Sequence, residues 1–128
     1  MGQELPIVDD QYLERLGRHL GEDALGEILA DGGLELADRR ARLAELIGTE
    51  DLPAIAAIAH DLVAVAGHLG LAALSKDAAA LERGARAPCR PCPGRTRRDG
   101  DVGAPVYRLL GTIDISLNAL AERCAHMR

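Results

Sequence analysis

Apolar residues recur every three or four positions along most of the chain, which is the spacing of helices that bury one face. On this basis we predict five helices, at about 10–20, 23–47, 51–67, 71–86 and 102–124. Asp9 or Asp10 can cap the first helix and Gly21 ends it, whereas Thr49 or Asp51 can cap the third. The pattern therefore indicates a helical protein with well-marked helix ends.

The apolar positions that should face a common core are mostly Leu and Ala. In the first two helices they are Leu13, Leu16, Leu20, Leu25, Ile28 or Leu29, Leu36, Leu43 and Ile47. The third and fourth helices carry a bundle seam formed by Leu52, Ile55, Ala59, Leu62, Ala66, Leu69, Leu71, Leu74, Ala78, Leu81 and Ala85. The last helix contributes Val106, Leu109 or Leu110, Ile113, Leu117 and Leu120. Four long amphipathic helices with short connections predict an all-α, antiparallel four-helix bundle, with the short first helix as a cap over one end.

Two segments interrupt this pattern. Gly32 and Gly33 lie inside the second helix, where each is unfavourable by about 1 kcal/mol, so a kink or break is expected there. Residues 87–101 contain three Pro, two Gly and four Arg, and the segment is predicted to be a flexible loop because it has no apolar periodicity. The length of the chain fits one domain, spanning residues 1–128.

Composition narrows the functional classes. Hydrophobic residues make up 48% of the chain and aromatic residues 2%, so the core must be aliphatic and the residue preferences favour helix. A formal charge of −5 argues against nucleic acid as a partner. We expect a cytoplasmic protein without a membrane partner, since no apolar run reaches roughly 20 residues and no secretory signal is visible. Three Cys fit a reducing compartment. A monomer is the expectation.

The third helix carries the candidate chemistry. Between Leu52 and Gly67 its only polar residues are His60 and Asp61. His60 follows Ala59 of the seam, so it is turned about 100° from the core and should be accessible. Its neighbours on the helix are small or apolar: Ala56, Ala57, Val63, Ala64 and Gly67.

An exposed imidazole on such a platform suits a phosphoryl carrier. Neutral imidazole is a nucleophile, and small flanking side chains allow a partner's active site to close over the ring. A single His on a helix is also compatible with an ordinary surface or core residue, and spacing alone does not separate the two interpretations.

The stretch from Ala59 to Arg86, AHDLVAVAGHLGLAALSKDAAALERGAR, resembles the signature of the histidine-containing phosphotransfer (HPt) domain family. That signature is A-H-x-L-K-G-x-A-x-x-L-G, followed by a second helix of the form L-x-x-x-A-x-x-L-E. The matching positions are Ala59, His60, Leu62, Ala66, Leu69, Gly70, Leu74, Leu81 and Glu82.

The resemblance implies a phosphoryl carrier rather than an enzyme. His60 would accept the phosphoryl group from a receiver-domain aspartate and pass it to another, in a two-component relay of the bacterial type. The partners implied are a response-regulator receiver domain, a hybrid histidine kinase, or both. No cofactor of its own is implied, because Mg²⁺ would belong to the receiver.

Two positions depart from the signature. Val63 and Ala64 stand where the family usually has Lys and Gly. The family's Lys supplies a cation near the phosphoryl group, which Val63 cannot do, so we expect Lys76 or Arg83 of the fourth helix to replace it. If neither does, transfer is slow, or the chain is a degenerate binding module that docks a receiver or kinase without transfer.

The predicted docking surface consists of the small residues around His60 together with residues at the end of the third helix and on the fourth. The additional residues are His68, Lys76 and Arg83. For His68 the competing interpretation is purely structural, since the helix dipole favours a His in the last turn. On the fourth helix, Glu82 is predicted to lie on the solvent face beside Lys76 and Arg83.

A C-x-x-C motif, Cys89 to Cys92, is the main competing signal, because such motifs occur in redox pairs and zinc sites. Cys124 and His126 could complete four ligands, but the last helix would place them roughly 34 Å from the loop. We therefore predict no metal site. A metal- or thiol-based sensor that uses Cys89 and Cys92 stays open as the third functional alternative. The Arg-rich loop is interpreted as a solvated segment that can steer an acidic partner.

Overall fold

Every regular element of the described chain is a helix. A computed structural model describes residues 6–49, 51–86 and 100–126. The helices are α1 (Asp10–Leu20), α2 (Glu22–Glu45), α3 (Leu52–His68), α4 (Ala72–Arg86) and α5 (Gly100–His126). All five predicted helices are confirmed, with ends displaced by no more than two residues. Because α5 begins at Gly100, the last two residues of the predicted 87–101 loop are helical, and residues 87–99 lie outside the described residues.

Two of the helices begin with an aspartate cap. The side chain of Asp9, rather than that of Asp10, accepts a hydrogen bond from the backbone N–H of Tyr12 at 3.1 Å. Asp51 does the same for the N–H of Ala54, also at 3.1 Å. Each cap satisfies a backbone donor that the first turn of a helix leaves without a partner.

Helices α2 to α5 close into a four-helix bundle. Each packs against the next, and α5 packs back against α2, while α1 lies on α2. Contacts show that α2 and α3 run antiparallel, because Arg39 meets Asp61 whereas the earlier residue Gly32 meets the later residue Leu69. No helix within the described ranges is both long enough and apolar enough to cross a membrane. The predicted architecture is confirmed.

The core is aliphatic, as the composition requires. The predicted seam residues of α3 and α4 are buried apart from Leu52, which is half-buried, and one contiguous cluster joins all five helices. Two core predictions are wrong: Leu20 and Ile47 are exposed. Leu20 is the last residue of α1 and Ile47 follows the end of α2, where the chain turns towards the next helix.

The glycine pair in α2 does not break the helix. Helical structure continues without interruption from Glu22 to Glu45, so the predicted break is absent. Gly32 is buried against Leu69, and a Cβ at position 32 would lie 2.5 Å from Cδ1 and 2.9 Å from Cγ of that side chain. A Cβ at Gly33 would meet nothing within 4 Å. Gly32 therefore serves a close approach between α2 and the end of α3, whereas Gly33 has no such role.

Alanine substitutions at these two neighbours are expected to change stability in opposite directions. Gly33→Ala should raise the free energy of unfolding by roughly 0.5–1 kcal/mol, because Ala loses less backbone entropy in a helix. Gly32→Ala should lower it by about 1–3 kcal/mol, since the buried Leu69 must move. Urea unfolding of the two variants measures both values, and equal effects would contradict the close packing at Gly32.

The N-terminal segment closes one end of the bundle. The N–H of Asp9 donates to the carbonyl of Gly70 at 2.7 Å, and the hydroxyl of Tyr12 donates to the carbonyl of His68 at 3.1 Å. Gly70 adopts φ +70°, a conformation that L side chains rarely adopt. These bonds fix the α3–α4 turn, and with it the relative placement of the two helices that carry the candidate site.

A salt bridge elsewhere on the bundle joins α2 to α5. Arg40 donates from Nε and Nη2 to the two carboxylate oxygens of Asp114, at 2.6 and 3.0 Å. The hydrogen bond from Asp114, reinforced by its charge, raises the pKa of Arg40 further above its usual value. Because both side chains are partly exposed to solvent, the bridge contributes no more than about 1 kcal/mol to stability.

Candidate functional site

His60 projects from the middle of α3 into solvent. Its side chain is 67% exposed, whereas the preceding residue Ala59 is fully buried in the seam. The predicted accessibility of the imidazole is therefore confirmed. An incoming reactant can reach the ring without any rearrangement of the core.

The imidazole is held on one edge by Glu82 of α4. The distance from Nδ1 of His60 to Oε2 of Glu82 is 3.0 Å, and the glutamate side chain is only 20% exposed. An ionised carboxylate only accepts hydrogen bonds, so Nδ1 carries the proton in this contact. In the neutral ring the lone pair is then on Nε2, the nitrogen opposite the contact.

A guanidinium shares the same carboxylate oxygen. Nε of Arg86, one helical turn after Glu82, lies 3.0 Å from Oε2. Because Nδ1 of His60 and Nε of Arg86 each lie 3.0 Å from Oε2 of Glu82, the two nitrogens are no more than twice that distance apart. The guanidinium of Arg86 is therefore close to the imidazole. His60, Glu82 and Arg86 form a connected set that we call the imidazole triad.

Two members of the imidazole triad, Glu82 and Arg86, were not predicted from the sequence as site residues. The prediction that Glu82 lies on the solvent face of the fourth helix is wrong, because its carboxylate is held between His60 and Arg86. One feature of the sequence could have indicated the contact between His60 and Glu82. Positions 60 and 82 are equally far from the turn at Gly70 and Leu71, and an antiparallel helix pair brings positions equally far from its turn together. The Ser75 hydroxyl, which donates to the carbonyl of Val63 at 3.4 Å, is a second contact between the same two helices.

Asp61 beside the imidazole is paired with a cation from α2. Its Oδ2 lies 3.4 Å from Nε of Arg39, which is an ion-pair distance although this buried nitrogen makes no hydrogen bond. Asp38 accepts from Nη1 of Arg39 at 2.7 Å and so holds the guanidinium in place. Arg39 thereby offsets part of the negative charge that Asp61 places beside His60.

The predicted docking residues divide into exposed and buried positions. Exposed residues, all on α3 or α4, are Ala57, Ala64, Gly67, His68, Lys76 and Arg83. Val63 is half-buried and packs against the core. Ala56 is only 2% exposed, so its assignment to a docking surface is wrong. It lies three residues before Ala59 and widens the buried stripe of α3 instead.

A shallow hollow continues this surface towards the α3–α4 turn. Its volume is about 430 Å³, and Tyr12, Gly67, Lys76 and Ala79 are among the residues that line it. The surface around His60 is therefore low and built from small side chains, and it ends in a concave region with a lysine at its edge.

The two cations predicted to replace the family's Lys lie outside the imidazole triad. Lys76 precedes Glu82 by six residues, which places it about 9 Å nearer the start of α4, where it lines the hollow. Arg83 follows Glu82 directly and is therefore turned about 100° away from it. The cation that contacts the triad glutamate is Arg86.

The described residues contain no group of three or more His, Cys, Asp and Glu side chains arranged to hold a metal ion. Cys124 is half-buried against the core. Cys89 and Cys92 lie outside the described residues, so the thiol-based alternative stays a prediction.

Comparison with known proteins agrees with this geometry. The model of the Hpt domain family matches residues 34–123. The crystal structure of histidine-containing phosphotransfer protein B (HptB) from Pseudomonas aeruginosa PAO1 is similar to this chain, with a TM-score of 0.77 and 20% sequence identity. The similarity covers 96% of this chain and 98% of that chain, and at this identity it shows a shared fold. No curated protein matches the sequence.

Proposed function

The chain belongs to the Hpt domain family of two-component signalling, and from this we propose that it relays a phosphoryl group between receiver-domain aspartates through His60. The observation that carries the proposal is the exposed imidazole with its Nδ1 held by Glu82 at 3.0 Å. Such a contact orients the ring and favours the tautomer whose outward nitrogen is nucleophilic.

In the proposed transfer, the Nε2 lone pair of neutral His60 attacks the phosphorus of an aspartyl phosphate in line with the bond to the leaving oxygen. The N–P bond forms as the P–O bond breaks, and its electron pair returns to the aspartate as carboxylate. The ring becomes a phosphorylated imidazolium that keeps its Nδ1 proton, and Glu82 stabilises this positive charge. Onward transfer reverses these steps at a second receiver.

The partner proposed for this surface is a receiver domain, either free or as part of a hybrid kinase. Its phosphorylated aspartate must reach Nε2, and the small exposed residues Ala57, Ala64 and Gly67 leave room for the surrounding receiver loops. Lys76, Arg83 and His68 at the edges complement an acidic active-site rim. The carrier supplies no metal in this scheme, since Mg²⁺ would belong to the receiver, and we propose that the exchange takes place in the cytoplasm.

A second candidate function is a docking module that binds a receiver or kinase without transfer. The observation that favours it is Val63, whose half-buried side chain stands where the family usually has a Lys. Without a cation beside the phosphoryl group, the site would bind the same partner surface, but the rate of phosphoryl transfer would fall.

Incubation of the purified chain with a panel of phosphorylated receivers separates the two functions. The relay predicts a protein-bound label that is labile in acid and stable in alkali, as expected for phosphohistidine, together with loss of label from the receiver. Receiver binding in a titration, without label at any receiver concentration, would instead establish the docking module. Stoichiometric zinc that is released when Cys89 and Cys92 become Ser would favour the sensor.

A further inference from the structure

Val63 stands where the HPt signature has a Lys, so position 63 carries no cation. Val63 packs against the core, so no charge is available there. Of the described cationic side chains, Arg86 is the one that shares a hydrogen-bond partner with His60. The structure thus offers a specific candidate for the missing charge.

We propose that Arg86 binds the phosphoryl group on His60 and provides the cation that Val63 cannot. The proposal rests on the proposed function and adds to it a residue from the last turn of α4. Arg86 makes and breaks only hydrogen bonds in this role, while the covalent exchange takes place at Nε2 of His60.

The contact with Glu82 leaves the guanidinium suitably placed for a second interaction. Arg86 donates to the carboxylate from Nε, and a guanidinium has four further N–H donors on its terminal nitrogens. These donors form a planar fork that matches phosphate oxygens. The arginine side chain is more than half exposed, so the fork can turn towards a group bound at Nε2.

Charge balance also favours an arginine at this place. A phosphoryl group adds nearly two negative charges at neutral pH, and Glu82 lies on the other edge of the same ring. The imidazolium offsets only part of this charge. A guanidinium beside Glu82 stabilises both the carboxylate and the phosphorylated state, and charge neutralisation is a main requirement of phosphoryl transfer.

The test compares transfer rates and phosphohistidine lifetimes among variants of the full chain. Arg86→Ala is expected to slow label transfer from a phosphorylated receiver by about 10-fold, the effect of losing one hydrogen bond to a charged group, and to shift the equilibrium of the label towards the receiver. Arg86→Lys should retain most of the rate, since it keeps the charge. In the double variant Val63→Lys/Arg86→Ala, a cation returns at position 63, and the transfer rate should recover most of what Arg86→Ala loses.

Arg18 of α1 supplies a matched control. It lies in the last turn of its helix and pairs with Glu14 four residues earlier, as Arg86 pairs with Glu82. Arg18→Ala therefore removes the same helix-dipole and surface ion-pair contributions from a helix that does not carry the imidazole triad. Its transfer rate should equal that of wild type, and far-UV circular dichroism should show equal helix content in all variants.

Failure of the inference and failure of the proposed function give different results. If the wild-type chain acquires no label, the proposed function is wrong and the role of Arg86 falls with it. If the wild type is labelled and Arg86→Ala is as fast as Arg18→Ala, only the inference is wrong. A slow Arg86→Ala variant that Val63→Lys does not rescue also contradicts it, because the arginine would then act through the position of Glu82.

Discussion

Replacement of His60 by glutamine is expected to abolish phosphoryl labelling of the chain while leaving its fold intact. Glutamine has no nucleophilic ring nitrogen, so the transfer rate should fall by more than about 1,000-fold, as when an enzyme loses its nucleophile. Because the side chain is exposed, the free energy of unfolding should change by less than about 0.5 kcal/mol. The measurement is label transfer from a phosphorylated receiver, followed over time at equal protein concentration.

His19 gives the control for this experiment. It is exposed on α1 and has no supporting pattern in the sequence, so His19→Gln should be labelled at the wild-type rate. Receiver binding by His60→Gln should persist, because the docking surface is otherwise unchanged. Label that persists in His60→Gln and disappears in His68→Gln would place the acceptor at the end of α3 and contradict the proposal.

Truncation of Leu36 is expected to destabilise the bundle strongly. Leu36 is fully buried in α2, and Leu36→Ala removes its packing and leaves a cavity that the close-packed bundle cannot fill. The expected cost is about 2–5 kcal/mol. For a chain of this size the corresponding fall in Tm is on the order of 10 °C or more.

Leu34 lies two residues earlier on the same helix and is 73% exposed. Leu34→Ala makes the same chemical change at nearly the same helical position, so it separates burial from helix propensity. Its stability should remain within about 0.5 kcal/mol of wild type. Thermal unfolding followed by circular dichroism compares the two variants, and equal losses at the two positions would contradict the orientation of α2 in the bundle.

Most of the fold follows from local patterns that one sequence contains. The periodicity of Leu and Ala located all five helices, and the side chains of Asp9 and Asp51 marked two of their starts. The errors have physical causes that a local pattern does not contain. Leu20 continues the apolar stripe of α1 but is exposed where the chain leaves the helix. Helix propensity disfavours both glycines of α2, whereas the close packing of Leu69 explains why a glycine stands at position 32.

Prediction of the site was less complete than prediction of the fold. The position of His60, one residue after a buried seam alanine, was enough to predict an exposed imidazole, and the structure agrees. Ala56 was assigned to the wrong surface, because the buried stripe of α3 is wider than a strict seam. Glu82 was assigned to solvent, because the seam of α4 gives the inner face of that helix but not the residue of α3 that lies opposite each position.

The sequence by itself determined the helices, the aliphatic core and the exposure of His60, since each depends on residues a few positions apart on one helix. Only the tertiary structure decided which groups surround that histidine. The contact from Nδ1 to Glu82 spans 22 positions, and it depends on the register of α3 against α4, which the turn at Gly70 and the bonds from Asp9 and Tyr12 fix. Hydrophobic spacing specifies a buried face, whereas the alignment of two buried faces along their length is set by packing between helices.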